Sequence, residues 1–548
     1  MAVHSAIGAR RRGSPPVQQM FKLPAPIKGM DGRVGLAQNN PEYCIYSHNI
    51  LSGEYGMKVR KGYREHVINL VDVLGTGVKT LIPFDGVQTD GSDSRLFAVT
   101  NEGIWDVTVY GAESPIISLA FPDNSPEAGE GIYSHYVDDG GNDFIYFADN
   151  LNGLFFYDPT TGIWEAATNI SGVDPSKVRF IMIHKQRLWM IEQESTVGWY
   201  LPISSHSGQA KPFQFGSQFK HGGKLVGLFN WSVDGGEGVD DYLVAISEAG
   251  DILPYRGSDP EATTGDVWSI KGVYFVGAVA GEGNCASESG GDLYILSIYG
   301  LTNMSDLLKG VTFNGYRGNS LGSKMSYMLR QDMQRYAQDA GWAVEFMPSE
   351  GIMLISVPTD GEGGYRQYAY DLPTDSFGWW RDVPIRCFTA WGKTIYIGTL
   401  DNRVLAMDVD VDDVHITPPA EGDNGTAIQW LLLMSYSDLG APATFKHPVL
   451  ARPDFLSNDD VSASTKFNFE YSLAADPVDY SIANNEATVW DAGIWDVDPW
   501  ANSDPIPLSS TRGGFGYGRS VALAMKGAAK SRTWLISVDI AWVPAGVL

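Results

Sequence analysis

Residues 143–157 have the sequence DFIYFADNLNGLFFY. A run rich in β-branched and aromatic residues leads into a turn of Asn and Gly, and a second run follows that ends in Tyr157. This order is typical of a β-hairpin. Residues 95–105, RLFAVTNEGIW, repeat the pattern. Further copies begin near Leu188, Tyr242, Leu293, Met353 and Thr394.

The copies recur at a nearly regular distance. From Leu96 and Phe144 onward, their starts lie between 41 and 60 residues apart, close to the period of four-stranded propeller blades. One small sheet cannot bury both of its faces, whereas a closed ring of sheets buries each face against a neighbour. We therefore predict a mainly β fold with a β-propeller at residues 79–408, of about seven blades, uncertain by one.

One helix is predicted inside the propeller. Apolar residues recur at near-helical spacing over residues 323–340, and Gly341 follows as a stop signal. The spaced residues are Met325, Met328, Leu329, Met333 and Tyr336.

The flanking segments lack the blade period. We expect residues 1–78 to form an N-terminal arm and platform segment, and the acidic, Pro-rich stretch 409–426 to be a linker. Residues 427–548 are then a C-terminal β-rich platform domain. The pattern fits either a sandwich or a sheet that the N-terminal arm completes.

Charge is distributed unevenly along the chain. The formal net charge is −26, which disfavours sequence-specific DNA binding because such binding needs a basic patch to displace phosphate counterions. Residues 1–66 nevertheless hold ten Lys and Arg against four acidic residues. This basic arm either docks on an acidic neighbour or is a solvated tail, and the sequence leaves both open.

Cysteine content and hydropathy indicate the cellular compartment in which the protein is made. Cys44, Cys285 and Cys387 are odd in number and far apart, so we expect neither a disulfide framework nor a zinc site, and synthesis in a reducing cytoplasm. No apolar run has the length that secretion or a membrane span requires, so we expect no membrane insertion.

Two motifs resemble catalytic or metal sites but fail in context. Residues 318–322, GNSLG, match the nucleophile elbow of serine hydrolases, yet an elbow needs a parallel α/β sheet that the pattern does not predict. We interpret them as a turn before the helix. Residues 408–413, DVDVDD, space carboxylates like part of a calcium loop but lack its turn glycine and distal glutamate.

Other candidate sites are equally weak. The glycine-rich stretches 281–283 and 514–518 open no helix of a βαβ unit, so we interpret both as hairpin turns. The nine histidines form no i, i+4 pair and no cluster with cysteine. Aromatic residues fill the core of propeller blades more often than they line a glycan groove. We assign no catalytic, cofactor-binding or metal-binding residue, expect no cofactor, and predict that the protein is not an enzyme.

Several segments resemble the tail nozzle proteins of short-tailed bacteriophages, also called tail tubular protein B or tail hub proteins. At the N-terminus these are residues 40–51, NPEYCIYSHNIL, and 54–63, EYGMKVRKGY, followed by 78–84, VKTLIPF. At the C-terminus they are residues 446–448, KHP, 490–496, WDAGIWD, and 516–520, GYGRS. The resemblance is one of order and composition and includes no catalytic signature.

The resemblance implies a structural virion protein. It would form a homo-hexameric ring below the portal and the head–tail adaptor, with tail fibres or spikes as further partners, and would retain and then conduct phage DNA through its lumen without sequence-specific contacts. The implied location is the virion tail, after synthesis in the bacterial cytoplasm. Two alternatives stay open: a propeller glycosidase, such as a sialidase-like enzyme, and a monomeric glycan- or protein-binding propeller.

Overall fold

The computed structural model describes residues 17–547 with gaps, the longest at 310–323, 414–425 and 474–505. Shorter gaps lie at 33–34, 38–39, 69, 71–74, 87, 89–90, 112–114, 235–238, 266, 281–282, 338, 349, 360–364, 410–411, 458–460, 462, 510 and 531.

Small β-sheets arranged around a ring make up most of the molecule. Strands account for 56% of the described residues and helices for 5%, so the fold is mainly β. Six separate small sheets follow one another around the ring, and one further position is taken by four strands of a larger sheet. The six small sheets form a β-propeller with six blades. For reference we number all seven units blade 1 to blade 7 in chain order, and blade 6 is the unit that belongs to the larger sheet. The prediction of a β-propeller with about seven blades, uncertain by one, is confirmed.

The blades consist of short antiparallel strands. Blade 1 has Thr80–Phe84, Arg95–Thr100, Gly103–Asp106 and Ile116–Ala120; blade 2 has Gly131–Val137, Asp143–Asp149, Gly153–Asp158 and Ile163–Ala166; blade 3 has Val178–His184, Arg187–Glu192, Val197–Tyr200 and Lys211–Gln214. Blade 4 has Leu225–Asp234, Val239–Ser247, Asp251–Arg256, Ser269–Ile270 and Tyr274–Phe275, and blade 5 has Ala286–Ser289, Asp292–Ser297 and Gly300–Asn303. Blade 6 has Ala343–Met347, Ile352–Pro358, Tyr365–Asp371 and Ser376–Trp380, and blade 7 has Ile385–Trp391, Thr394–Thr399, Val404–Val409 and Gly62–Val67. A parallel pair, Ile170–Ser171 with Gly208–Gln209, and the 3₁₀ turns Pro175–Lys177 and Gly216–Gln218 lie between blades.

The geometry of the hairpin at residues 143–157 explains why its turn contains Asp149 and Gly153. Asp149 ends the first strand, and its Oδ1 accepts hydrogen bonds from the backbone N–H of Leu151 (3.1 Å) and Asn152 (2.7 Å), which closes the turn. Gly153 then has a φ of +86°, and a Cβ there would lie 2.4 Å from the carbonyl oxygen of Pro175. Only glycine fits this turn without strain.

Aromatic side chains fill the spaces between blades. Phe97 of blade 1 meets Trp164 of blade 2 edge to face, with ring centroids 5.3 Å apart, and Trp189 and Trp268 stack at 5.6 Å between blades 3 and 4. Buried rings of this size contribute both apolar area and specific pairing geometry. The sequence-based preference for aromatic residues as core is therefore confirmed for Phe97, Trp164 and Trp189, which are at most 2% exposed.

The ring is closed by a strand from the N-terminal segment. Gly62–Val67 runs antiparallel to Val404–Val409 and forms the outer strand of blade 7. Val67 is fully buried in a cluster that joins blade 7 to Leu81 and Leu96 of blade 1. Closure thus pairs residues more than 330 positions apart, as in Arg403, whose Nη1 donates to Oε1 of Glu65 at 2.6 Å.

Both ends of the chain build the platform, a sandwich of two sheets. The sheet of blade 6 continues through Cys44–His48, Thr426–Met434, Val521–Ala529 and Ala463–Phe469, with Asp412–Asp413 paired to Thr426–Met434. The second sheet contains Ile50–Gly53, Gly56–Val59, Thr533–Val547, Thr444–Ser457, Ile506–Ser509, Gln19–Pro24 and Arg512–Gly513. Trp430 and Phe455 meet between the two sheets. The predicted platform domain formed by N- and C-terminal segments is confirmed.

Two helices follow blade 5 among the described residues: α1, Met304–Leu308, and α2, Ser326–Tyr336. The helix expected at residues 323–340 is present as α2 but is shorter, and Leu329 and Met333 form its buried side. The chain turns back after Tyr336, whose carbonyl accepts a 2.8 Å hydrogen bond from Nε1 of Trp342. Within the described residues, no helix is both long and apolar enough to cross a membrane.

Val67→Ala tests the closing strand. We expect a loss of about 2 kcal/mol in the free energy of unfolding, because the substitution leaves a cavity between blade 7 and blade 1. Urea denaturation measures the loss. The matched control is Val137→Ala, at a valine that is 54% exposed, and it should change stability little. Equal effects of the two substitutions would contradict a closed and packed ring.

Candidate functional site: the central cavity and the platform junction

The innermost strands of the blades surround a central cavity. One part has a volume of about 340 Å³ and an adjoining part about 600 Å³, and the two share Lys79, Ile132, Asn284 and Cys387. Both polar and apolar residues line the wall. Further lining residues of the smaller part are Tyr133, Ile181, Leu228, Ser287, Glu288, Glu345 and Phe388.

Most ionisable groups in the smaller part of the cavity are held neutral. Burial raises the pKa of Glu345 to about 8 and that of the Cys387 thiol to about 12. Burial also raises the pKa of Tyr133, whose hydroxyl lies 3.2 Å from Oγ1 of Thr389. At neutral pH, Cys387 is a protonated thiol, which is a poor nucleophile. This region can accept a neutral polar ligand more readily than it can generate a reactive anion.

The larger part of the cavity contains paired charges. A guanidinium nitrogen of Arg386 forms an ion pair with Glu130, which joins blade 7 to the start of blade 2. The ammonium group of Lys79 donates to the carbonyl of Pro126. The ion pair therefore connects blade 7 with the start of blade 2, whereas the Lys79 contact ties the start of blade 1 to the connection that follows this blade.

Asn49 connects the platform to the propeller. It is 1% exposed and has a left-handed φ of +58°, a conformation that asparagine tolerates better than most residues. Its Nδ2 donates to the carbonyls of Arg381 (2.9 Å) and Gln429 (2.8 Å). Its Oδ1 accepts from the backbone N–H of Arg381 (2.8 Å) and from Nε of Arg60 (3.2 Å). The side chain therefore uses its full hydrogen-bonding capacity at the junction.

A buried lysine organises the far end of the platform. Lys446 is fully buried, and its Nζ donates to the carbonyls of Ala441 (2.7 Å), Thr444 (2.9 Å) and Arg519 (2.7 Å). Because three carbonyl groups surround the ammonium group, its burial is compensated by hydrogen bonds. The contact with Arg519 fixes the end of the glycine-rich segment, which we call the aromatic loop (residues 513–518).

The aromatic loop differs from its sequence-based interpretation. It was expected to be a hairpin turn, but it crosses from Arg512–Gly513 in one sheet of the sandwich to Val521–Ala529 in the other. That expectation is wrong because a hairpin joins adjacent strands of one sheet. The loop exposes Phe515 and Tyr517, at 87% and 70%. The alternation of glycine and aromatic residues in 514–518 is the sequence signal that could have indicated this exposed loop.

The remaining candidate motifs are not brought into a site. Residues 318–322 lie outside the described residues, as do residues 281–282 and the 490–496 motif. The strands Val404–Val409 and Asp412–Asp413 include most of the 408–413 run, but its side chains are not described. Arg10 to Arg12 and Arg33 of the basic arm also fall outside the description.

The described histidines occupy separate positions. His48 packs against Trp379 with ring centroids 5.2 Å apart, and burial together with Arg381 and Arg366 lowers its pKa to about 4. Nδ1 of His221 donates to Oδ1 of Asp251 at 2.7 Å. Within the described part of the chain, no group of three or more His, Cys, Asp or Glu side chains could hold a metal ion.

Comparisons with known proteins assign no family. No protein-family model matches the chain, and no curated protein matches it. Among solved structures, the chain is similar to the computationally designed Ika8 protein, with 10% sequence identity and a TM-score of 0.34. The match covers 66% of this chain and 98% of the designed one. At that score the similarity carries no functional argument.

Glu345→Gln tests the electrostatics of the cavity. The unfolded chain ionises Glu345 near pH 4.5 and the folded chain only near pH 8, so the stability present below pH 4.5 is lost as the pH rises through this window. The loss approaches about 1.4 kcal/mol per pH unit. Because glutamine stays neutral, the variant should lose less stability between pH 5 and pH 8. The control is Glu165→Gln, on the exposed outer strand of blade 2, which should leave the pH dependence of stability unchanged. If Glu345→Gln has the same pH dependence of stability as the wild type, the pKa of Glu345 is not raised.

Asn49→Gly tests the junction. Glycine adopts the same backbone conformation, so the substitution removes only the side-chain hydrogen bonds and leaves buried peptide groups without partners. We expect a loss of about 3 kcal/mol in the free energy of unfolding, measured by chemical denaturation. Asn402→Gly is the matched control, since Asn402 has a φ of +63° and a buried Oδ1 without a partner. If Asn49→Gly lowers the free energy of unfolding no more than Asn402→Gly does, Asn49 does not stabilise the junction.

Proposed function

We propose that this protein is a structural subunit of the tail nozzle of a short-tailed bacteriophage. In this proposal it forms a ring below the portal and adaptor that retains genomic DNA and then conducts it during ejection. The observation that carries the proposal is the platform, in which strands from both chain ends form one sandwich continuous with a propeller blade. That architecture is the one implied by the resemblance of the terminal segments to nozzle proteins.

The positions of the family-like segments support the proposal. Residues 40–51 contain Asn49 and the strand Cys44–His48, which joins blade 6 to the platform. Residues 54–63 lead into the strand that closes the propeller, and Lys61 forms a 2.5 Å ion pair with Glu350. Segments 446–448 and 516–520 meet through Lys446. The N-terminal family-like segments therefore lie where propeller and platform are joined, and the segments 446–448 and 516–520 contact each other within the platform.

The charge distribution is compatible with a DNA conduit. Residues 79–408 contain 42 acidic residues against 21 Lys and Arg. Acidic walls repel phosphate groups and limit adhesion of a passing duplex. Residues 506–548, by contrast, hold five Lys and Arg and one acidic residue. Copies with oppositely charged regions favour heterologous contacts, which close into rings when the rotation between copies permits.

Electron microscopy and solution mass of the purified full chain test the proposal. We expect closed rings with an open centre, six-fold if the resemblance holds, and a mass that is a multiple of the 59.8 kDa subunit. Addition of short duplex DNA at physiological salt should leave the rings unbound. A chain that stays monomeric at every concentration, with and without a head–tail adaptor, would overturn the proposal.

The central cavity favours one alternative, a glycan- or small-ligand-binding propeller. Its larger part, about 600 Å³, lies in the size range of ligand pockets. A glycan-binding screen on the same sample distinguishes this alternative from the tail nozzle proposal. Saturable binding by monomers, abolished by substitutions at Asn284, which lines both parts of the cavity, would favour the alternative, and glycan turnover would favour the glycosidase.

A further inference from the structure

The aromatic loop presents two large apolar side chains to solvent. Phe515 is 87% exposed, the highest fraction among the large hydrophobic residues of the described chain, and Tyr517 is 70% exposed. Single exposed apolar residues are common on protein surfaces, whereas exposed apolar residues grouped in one patch mark interaction sites. Tyrosine and phenylalanine are also the residue types enriched at the centres of protein interfaces.

The loop is held in place rather than merely exposed. Lys446 and Gly518 exchange backbone hydrogen bonds at 2.8 and 3.1 Å, and Gly514 N–H donates to the carbonyl of Val449 at 2.8 Å. The carbonyl of Gly516 lies 2.6 Å from Nδ1 of His447. A Cβ at Gly516 would lie 2.4 Å from the ring of Phe469. The loop is therefore closely packed beneath, and a preorganised surface loses less entropy on binding.

A second exposed apolar surface lies on the outer edge of blade 1. We call it the blade 1 edge patch: Val109, Tyr110, Ile116 and Ile117, which are 69%, 38%, 74% and 38% exposed. Ile116–Ala120 is the last strand of its sheet, so its outer edge has backbone groups that no strand of that sheet pairs. Tyr110 is held in position by the guanidinium of Arg64, 4.7 Å from its ring centroid.

The two surfaces lie in stretches of sequence with opposite net charge. Residues 85–127, which surround the blade 1 edge patch in sequence, include eight acidic residues and one basic residue, Arg95. The aromatic loop is flanked by Arg512 and Arg519 within the basic segment 506–548. Attraction between such surfaces steers association and fixes orientation, while apolar contacts supply most of the affinity.

We propose that the aromatic loop of one copy docks on the blade 1 edge patch of a second copy of this chain. The contact joins two different surfaces and is therefore heterologous, which leads to a ring or an open filament rather than a two-fold dimer. The inference rests on the self-assembly in the proposed function and names the surfaces that carry it. Phe515 and Tyr517 form the apolar centre of the contact, and the charged residues form its rim.

Cysteine cross-linking between two different full-length variants tests the docking. Tyr517→Cys and Ile116→Cys chains are mixed at high protein concentration under mild oxidation. We expect a disulfide-linked dimer from the mixture and much less from either variant alone, because like surfaces do not meet. The control mixture pairs Tyr517→Cys with Ile163→Cys, at a 51% exposed isoleucine on the outer strand of blade 2. Equal yields from both mixtures would overturn the inference.

Sedimentation velocity of the double variant Phe515→Ser/Tyr517→Ser gives an independent readout. Since both residues are exposed, the fold should be retained, as checked by circular dichroism, while self-association weakens at least about tenfold. Tyr327→Ser, at a 53% exposed tyrosine of α2, should leave association unchanged. Rings that form equally well from the double variant would overturn the inference and leave the nozzle proposal intact. Selective cross-links from a chain that forms no rings would support the contact and count against the nozzle.

Discussion

Antiparallel pairing between Gly62–Val67 and Val404–Val409 joins the two ends of the propeller. The rest of the structure depends on this pairing, because each blade buries its faces only while the ring is closed. The strand comes from the segment that also supplies Cys44–His48 and Ile50–Gly53 to the platform. One short stretch of chain therefore closes the propeller and ties it to the second domain.

The platform adds a second constraint. The long strands Thr444–Ser457 and Thr533–Val547 pair along most of their length, and N-terminal strands pair with the opposite edge of the second one. Asn49 links this sandwich to blade 6 through buried hydrogen bonds. A sandwich joined to the propeller by strand pairing and buried hydrogen bonds suits a subunit that must keep its propeller oriented in an assembly. The tail nozzle proposal assigns this role to the platform.

The sequence predicted local features better than distant pairings. The hairpin at residues 143–157 was readable because its turn residues and aromatic runs are contiguous, and α2 because its apolar spacing is helical. The pairing of Cys44–His48 with both blade 6 and Thr426–Met434 was not readable, since strand partners hundreds of residues apart leave no local pattern. The neutral state of Glu345 likewise arises from burial that only the closed ring creates.

Native-state hydrogen exchange, followed by mass spectrometry on the full chain, tests the joint closure of propeller and platform most directly. Opening free energies report which elements unfold together. The account predicts that peptides covering residues 62–67, 404–409 and 533–547 share one opening free energy, equal to that of global unfolding. Fast exchange in residues 62–67 while the blades stay protected would contradict it, because the ring would then be stable without its closing strand.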